Sequence, residues 1–227
     1  MLKNMVAFKN PKSRAAEAFR TLRTNIQFSS LDDTVKSIVV TSSGPSEGKS
    51  TVLINLAITI AQSGKRIVLV DCDLRKPTVH KKLGIPNSEG LTNLLIQDRK
   101  LDDIVQPTNV PNLFVITSGP TPPNPAELLG TKRMKQFFNE LKQIFDMVLI
   151  DAPPVIAVTD AQIISTIADG TLLVTSYGST EKFALVKAKE LLDKVGAKIL
   201  GVVLNKVSVK SGSYYGKYYN TYYSSEE

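Results

Sequence analysis

Lys36-Ser37-Ile38-Val39-Val40-Thr41-Ser42-Ser43-Gly44-Pro45-Ser46-Glu47-Gly48-Lys49-Ser50-Thr51 is the stretch whose reading decides the fold. The β-branched run from Ile38 to Thr41 reads as a buried strand. A loop of small residues follows, and Gly48-Lys49-Ser50-Thr51 opens an apolar helix. Strand, loop, Gly-Lys-Ser and helix together make a phosphate-binding loop, in which backbone N–H groups and the helix N-terminus face an anion. Lys49 can reach β- and γ-phosphates, and the Ser50 hydroxyl can ligate Mg²⁺. The strict pattern places Gly five residues before Gly48; this chain has Ser43 there, with Gly44 one place late. A chance Gly-Lys-Ser would lack the strand and helix on its flanks.

Outward from the loop, the helix runs from Lys49 to about Ser63, with Gly64 as its stop. Arg66 to Val70 reads as a second buried strand, ending in Asp71-Cys72-Asp73. Carboxylates just past a strand end lie where open α/β sheets bind ligands. Alone, Asp71 and Asp73 would be turn formers; downstream of a phosphate loop they point to Mg²⁺ and catalytic work. Arg75 and Lys76 either face phosphate or form a solvated pair. His80 is the only histidine, so a Ser-His-Asp triad or a His metal cluster is excluded, and it reads as a surface residue. Short helical pieces at Gly90–Ile96 and Leu101–Val105 precede a third strand at Asn112–Ile116 and a turn-rich loop from Ser118 to Pro125. Asn124 or Thr131 caps helices at Ala126–Leu129 and Lys132–Ile144. A fourth strand, Met147–Ile150, ends in Asp151-Ala152-Pro153-Pro154, the usual place for a second Mg²⁺ element. A helix from Thr159 to about Ala168 leads to a fifth strand at Thr171–Val174. Thr180 is read as the cap of a helix from Glu181 to Lys194, and a sixth strand, Lys198–Leu204, precedes Asn205. Alternating strands and helices predict an α/β fold of three layers, a mostly parallel sheet with helices on both faces, of the P-loop NTPase type.

Residues 1–10 read as loose. Pro11 to about Ser29 reads as a basic amphipathic helix carrying Glu17, Arg20 and Arg23 on one stripe. That stripe is either a solvated face or a subunit contact, since Arg forks suit carboxylates across an interface. The net charge of +7 suits an anionic ligand, but no dense Lys/Arg block marks a nucleic-acid partner. The single cysteine, Cys72, excludes an internal disulfide and fits a reducing compartment. No secretory signal or membrane-length apolar run is present, so membrane association would require a partner. The organisation expected is an N-terminal segment and oligomerisation helix over 1–35, a phosphate-loop domain over 36–206, and a tail over 207–227. That tail holds Tyr214, Tyr215, Tyr218, Tyr219, Tyr222 and Tyr223, six of the chain's seven tyrosines. Its Gly/Ser content and low apolar content predict a flexible segment. A stacking platform for single-stranded nucleic acid would need more cations than Lys217 supplies. A cluster of phosphate acceptors fits best.

Taken together, these motifs closely resemble the bacterial protein-tyrosine kinases (BY-kinases) of capsule and exopolysaccharide systems, over nearly the whole chain. The resemblance is to the type whose transmembrane activator is a separate polypeptide. The family's first phosphate motif resembles Thr41 to Ser50, with Ser46 where the family usually has Gly. Its group-specific motif resembles Val70 to Pro77, and its third motif Leu149 to Pro154, with Ala152 where Thr is common. The resemblance implies ATP and Mg²⁺ as cofactors and transfer of phosphate to tyrosine. Ser46, Glu47, Gly48, Lys49, Ser50, Thr51 and Asn205 would contact nucleotide, Asn205 at the adenine. Ser50, Asp73 and Asp151 would hold the metal, and Lys49, Asp71, Asp73 and Asp151 would serve catalysis, with Asp71 the candidate to orient or deprotonate the phenol. It also implies a ring-shaped homo-oligomer through Glu17, Arg20 and Arg23, a tail phosphorylated in trans, protein tyrosine substrates, and a cytoplasmic protein recruited to the inner face of the membrane by its activator. Two other readings stay open, a partition- or division-type ATPase and a nucleotide-gated scaffold. The partition group carries an extra Lys early in its loop, where this chain has Gly44, and lacks a terminal tyrosine cluster.

Overall fold

The computed structural model describes residues 2–29, 35–97 and 99–207. The six tail tyrosines, and with them the phosphoacceptor expectation, lie outside the described residues. The chain forms α1 (Val6–Lys9), α2 (Arg14–Phe28), β1 (Ser37–Ser42), α3 (Lys49–Ala61), β2 (Ile67–Asp71), α4 (Val79–Leu83), α5 (Leu91–Ile96) and α6 (Leu101–Ile104). There follow β3 (Val105–Pro107), β4 (Leu113–Ile116), α7 (Pro125–Leu129), α8 (Lys132–Ile144), β5 (Met147–Asp151), α9 (Asp160–Ser165), β6 (Gly170–Ser176), α10 (Lys182–Lys194) and β7 (Ile199–Asn205).

The strands join one sheet in the order β3-β4-β2-β5-β1-β6-β7. All neighbours are parallel except β3, which runs antiparallel to β4. β1, β2, β5 and β6 are buried along their whole length. They read as continuous apolar runs because helices cover both faces of a parallel sheet. Side-chain alternation sorts these strands between two cores. Ile38 and Val40 pack with Leu53, Leu56 and Ile60 of α3 on one face. Val39 packs with Phe137, Phe138 and Leu141 of α8, and with Leu192 of α10, on the other. The two strands beside β1 are reached by crossovers on opposite sides, so the loop after β1 sits at the switch point where such sheets bind ligands. On β2 and β5, Asp71 and Asp151 are register partners. Residues eighty apart in sequence thus reach the carboxyl edge of the sheet at one level.

Three elements depart from the sequence reading. Residues 2–10, expected to be loose, are ordered onto α3: Leu2, Met5 and Ala7 join the α3 core, and the Ala7 N–H donates to Asn55 Oδ1 at 2.9 Å. Asn55 therefore interrupts an apolar helix because it holds a second segment. The short α4, unread in the sequence, starts where the Val79 N–H donates to Asp71 Oδ2 at 3.1 Å. β3 adds a seventh strand at the edge, where Pro107 costs no ladder bond to a further neighbour. His80, expected at the surface, is half-buried with its Nδ1 atom buried and unpartnered. Burial and the charge of Lys81 lower its pKa. Among the described residues no helix is long and apolar enough to cross a membrane.

Candidate active site

The loop between β1 and α3 is shaped by its own side chains. Ser42 Oγ donates to the Gly44 carbonyl at 2.7 Å. The Glu47 carboxylate accepts from the Ser43 N–H at 2.9 Å and from Ser43 Oγ at 2.6 Å. It also accepts from Thr180 Oγ1 at 2.6 Å. Glu47 was expected to contact nucleotide; its side chain is committed instead to holding the loop, which leaves its backbone for an anion. The same bond corrects the reading of Thr180. Its hydroxyl accepts from the Ser176 N–H and donates to Glu47, while Glu181 is the N-cap of α10 and makes no side-chain cap bond. Ser46 takes a φ of 62° and Gly48 one of 93°. Both lie in the left-handed region that favours glycine, and Ser46 occupies it with a side chain. Lys206 Nζ donates to the Ser46 carbonyl at 2.7 Å, fixing that turn. Asn205 Nδ2 donates to the Glu47 carbonyl at 2.9 Å and lies so near Gly48 that a Cβ there would meet it at 2.2 Å. The end of β7 thus presses directly on the phosphate loop.

Lys49, Ser50, Asp73 and Asp151 come together as one cluster. Lys49 Nζ lies 3.0 Å from Asp73 Oδ2, 3.2 Å from Asp151 Oδ1 and 3.4 Å from Ser50 Oγ. Ser50 Oγ donates to Asp151 Oδ2 at 2.5 Å and accepts from Thr78 Oγ1 at 3.0 Å. Asp73 Oδ1 accepts the Lys76 N–H at 3.0 Å. Asp71 lies alongside, fully buried, its two oxygens accepting the N–H groups of Asp73 and Val79. Arg75 turns away from this cluster, its guanidinium forked onto buried Asp160 at 2.9 and 3.0 Å. Thr51 sits one residue further along α3, where Lys82 Nζ donates to its hydroxyl at 3.0 Å. Thr78, Lys82 and Lys206 carry no signal in the sequence because each arrives from a segment with no motif of its own, and Thr180 carries only the signal of a cap.

The electrostatics follow from burial. Desolvation, with the charge of Asp151 added, pushes the Asp71 carboxyl well above its ordinary value, against the pull of Lys49 and the Val79 N–H. Asp151 is raised by its burial, with Lys49 and the Ser50 hydroxyl opposing. For Lys49, burial works to lower the pKa, but Asp151 and Asp73 outweigh it and hold the ammonium charged. Ser50, Asp73 and Asp151 thus present three oxygens around one cation. That donor set is hard and fits Mg²⁺, which takes one or two carboxylates and completes its shell with water and phosphate. No group of three His, Cys, Asp or Glu side chains among the described residues is placed to hold a metal.

The Glu17–Arg20–Arg23 stripe is not uniform. Glu17 and Arg20 pair with each other at 2.6 Å, half-exposed. Arg23 instead donates to the Thr59 carbonyl of α3 at 2.8 Å and anchors α2 to its own chain.

Comparison with known proteins returns tyrosine-protein kinases, and more distantly a Pyrococcus furiosus cell-division ATPase MinD, at 26% identity and a TM-score of 0.64 over 74% of this chain and 71% of that one. A family profile described as an AAA domain matches residues 35–200. The chain is 48% identical to the tyrosine-protein kinase YwqD of Bacillus subtilis (strain 168), covering 95% of this chain and 91% of the relative. It is 44% identical to the putative tyrosine-protein kinase CapB of Staphylococcus aureus, covering 90% of each. Its structure resembles the kinase domain of the Escherichia coli tyrosine kinase ETK with a TM-score of 0.86, at 32% identity over 92% of this chain and 84% of that one.

Proposed function

The chain belongs to the bacterial tyrosine-protein kinases and is an enzyme of that class, and from that premise we propose that it transfers the γ-phosphoryl group of MgATP to tyrosine hydroxyls, those of its own tail included. The observation that carries this reading is the convergence of Lys49, Ser50, Asp73 and Asp151 within 3.4 Å at the mouth of the phosphate loop. The loop's backbone N–H groups, from Ser46 to Thr51, cradle the phosphates, and Lys49 neutralises charge that spreads over the γ-phosphoryl oxygens. Ser50, Asp73 and Asp151 hold the magnesium ion, which when bound neutralises and orients the phosphates. Asp71 orients the attacking phenol and accepts its proton late in the transfer. A phenol has a pKa near ~10 against ~4 for an ordinary carboxylate, and the raised proton affinity of buried Asp71 narrows that gap. Asn205 contacts the adenine while its amide nitrogen braces Gly48 and Glu47.

The six tail tyrosines are the acceptors and receive phosphate in trans. Glu17 and Arg20, with Arg23 behind them, contribute to a homo-oligomeric ring. The protein acts in the cytoplasm at the inner face of the membrane, bound to a transmembrane activator, and regulates capsule or exopolysaccharide synthesis and export through its tail and through tyrosines of other proteins. The test is incubation of purified protein with labelled ATP and Mg²⁺, followed by mapping of phosphotyrosine. Label confined to Tyr214, Tyr215, Tyr218, Tyr219, Tyr222 and Tyr223 supports the reading. Hydrolysis of ATP with no phosphotyrosine would instead favour the partition-type ATPase.

A further inference from the structure

We propose that Lys82 is a second phosphate-binding lysine of this site, addressing the α- and β-phosphates of the nucleotide from a side of α3 different from that of the metal ligands. The inference rests on the nucleotide-binding reading above and adds a residue to it. The argument begins with α4. Its N-terminus is fastened twice to the site, by the Val79 N–H to Asp71 Oδ2 and by Thr78 Oγ1 to Ser50 Oγ. Thr78 and Lys82 are four residues apart and share one face of the helical turn, as the Lys82 N–H to Thr78 carbonyl bond of 3.0 Å requires. That face lies along the first turn of α3. Thr78 meets Ser50, and Lys82 meets the next residue, Thr51. Ser50 and Thr51 project about 100° apart around the helix, so Lys82 approaches from a different side than Asp73 and Asp151.

The charge distribution then calls for an anion. The first turn of α3 contains no acidic residue and no side-chain cap. Its N-terminus carries the positive end of the helix dipole, where a cation is unfavourable. Lys49 has Asp73 and Asp151 to offset this. Lys82 has only a neutral hydroxyl; no carboxylate of the described residues lies within ion-pair distance of it. A half-buried lysine drawn onto the positive end of a helix is in an unfavourable field until an anion lies there. The diphosphate of ADP or ATP is that anion. Thr51, held between α3 and Lys82, sets the direction from which the ammonium reaches it.

The experiment is equilibrium titration of wild-type protein, Lys82→Gln and Lys82→Arg with a fluorescent ADP and with ATP, alongside thermal melting of each protein alone. Lys82→Gln should weaken ADP and ATP alike by about tenfold, about 1.4 kcal/mol, since both carry the α- and β-phosphates. Lys82→Arg should recover most of that loss, and added salt should narrow the gap between wild type and Lys82→Gln. The melting temperature of Lys82→Gln alone should equal or exceed that of the wild type, because the substitution removes a repelled charge. Unchanged ADP affinity in Lys82→Gln, with normal wild-type binding, would overturn the proposal. So would a lower melting temperature matched by loss of binding, which would make Lys82 structural. Failure of the wild type itself to bind either nucleotide is a different result, and it would overturn the proposed function together with this inference.

Discussion

Replacing Lys49 with methionine isolates the electrostatics of the site, because the side chain keeps its length and loses its charge. The Lys49 side chain is 12% exposed and faces those of Asp73 at 6% and Asp151 at 0%. Removing one partner of a buried ion pair typically costs about 3–5 kcal/mol, because the other charge is left uncompensated. Here one ammonium serves two carboxylates, so the cost belongs in the upper part of that range. Against a domain stability of roughly 5–15 kcal/mol, Lys49→Met should fold at low temperature with a much reduced margin. The pH dependence has a definite sign. Lys49 opposes the raised pKa of both Asp71 and Asp151. Without it these acids rise further and the folded state retains protons that the unfolded state releases. The stabilisation from those protons is fully present below the ordinary carboxylate pKa and is lost as pH rises through the folded values. The penalty of Lys49→Met should therefore be larger at about pH 8 than at about pH 6. Urea unfolding of both proteins at the two pH values measures it. Adding Asp73→Asn to Lys49→Met should restore part of the loss. A variant as stable as the wild type within about 0.5 kcal/mol, with a difference flat in pH, would refute the reasoning. It follows that loss of kinase activity in Lys49→Met is informative only when folding has been checked in the same sample.

Two further substitutions test how the loop and the sheet are held. Glu47→Ala strips the acceptor from the Ser43 N–H, the Ser43 hydroxyl and the Thr180 hydroxyl; it should cost about 2–3 kcal/mol in urea unfolding and weaken nucleotide binding, and an unchanged dissociation constant would show that the loop holds its shape without it. At Asp169, burial acts to raise the carboxyl, but the Lys142 bond at 2.7 Å and the Ser37 and Lys36 donors outweigh it and the pKa falls below the ordinary value. Its stabilisation is therefore present above the unfolded pKa of ~3.9 and lost as pH falls through the depressed folded value. Asp169→Asn should lose about 0.5–1.5 kcal/mol at neutral pH, discounted for partial exposure, and the gap to wild type should close only on strong acidification; a gap independent of pH would refute the assignment.

The elements legible in the sequence were those whose residues carry their own reason. The runs at Ile38–Val40, Ile67–Val70 and Val148–Ile150 are buried on both faces, so an apolar stretch of that length between turn residues had one reading. The loop and α3 were legible because Gly48 must turn left-handed and Lys49 and Ser50 follow it. What could not be read was set by tertiary partners. α4 begins at a bond from Val79 to Asp71, and α1 is held by Asn55, neither of which leaves a local pattern. Thr180 had the composition of a cap, yet Glu47 claimed its hydroxyl from far along the chain. The strand-end aspartates could each be marked as candidates, but that Asp71 and Asp151 stand opposite one another depends on β2 pairing with β5.

Whether the proposed phosphorylation of the tail runs within a chain or between chains is a question of effective concentration. The tail departs from Lys206, whose ammonium is bound to the phosphate loop itself. Tyr214 is eight residues beyond Lys206, an extended reach of about 26–29 Å. Length alone therefore does not keep the tyrosines from their own site. Tethers of such length give effective concentrations on the order of millimolar, about a thousandfold above free subunits at micromolar dilution. Transfer in trans prevails only where the neighbour is also held in place, which is what a ring would supply. The decisive mixture pairs a folded Lys49→Met subunit carrying an intact tail with an active subunit whose six tail tyrosines are phenylalanine. Phosphotyrosine should form on the inactive subunit. It should fall sharply when both subunits also carry Arg20→Glu, which places like charge against Glu17 and breaks the half-exposed pair on α2. Phosphotyrosine absent from the inactive subunit, while subunit exchange is demonstrated by fluorescence, would establish transfer within one chain. Labelling in trans that is indifferent to Arg20→Glu would place the contact between subunits elsewhere on the surface.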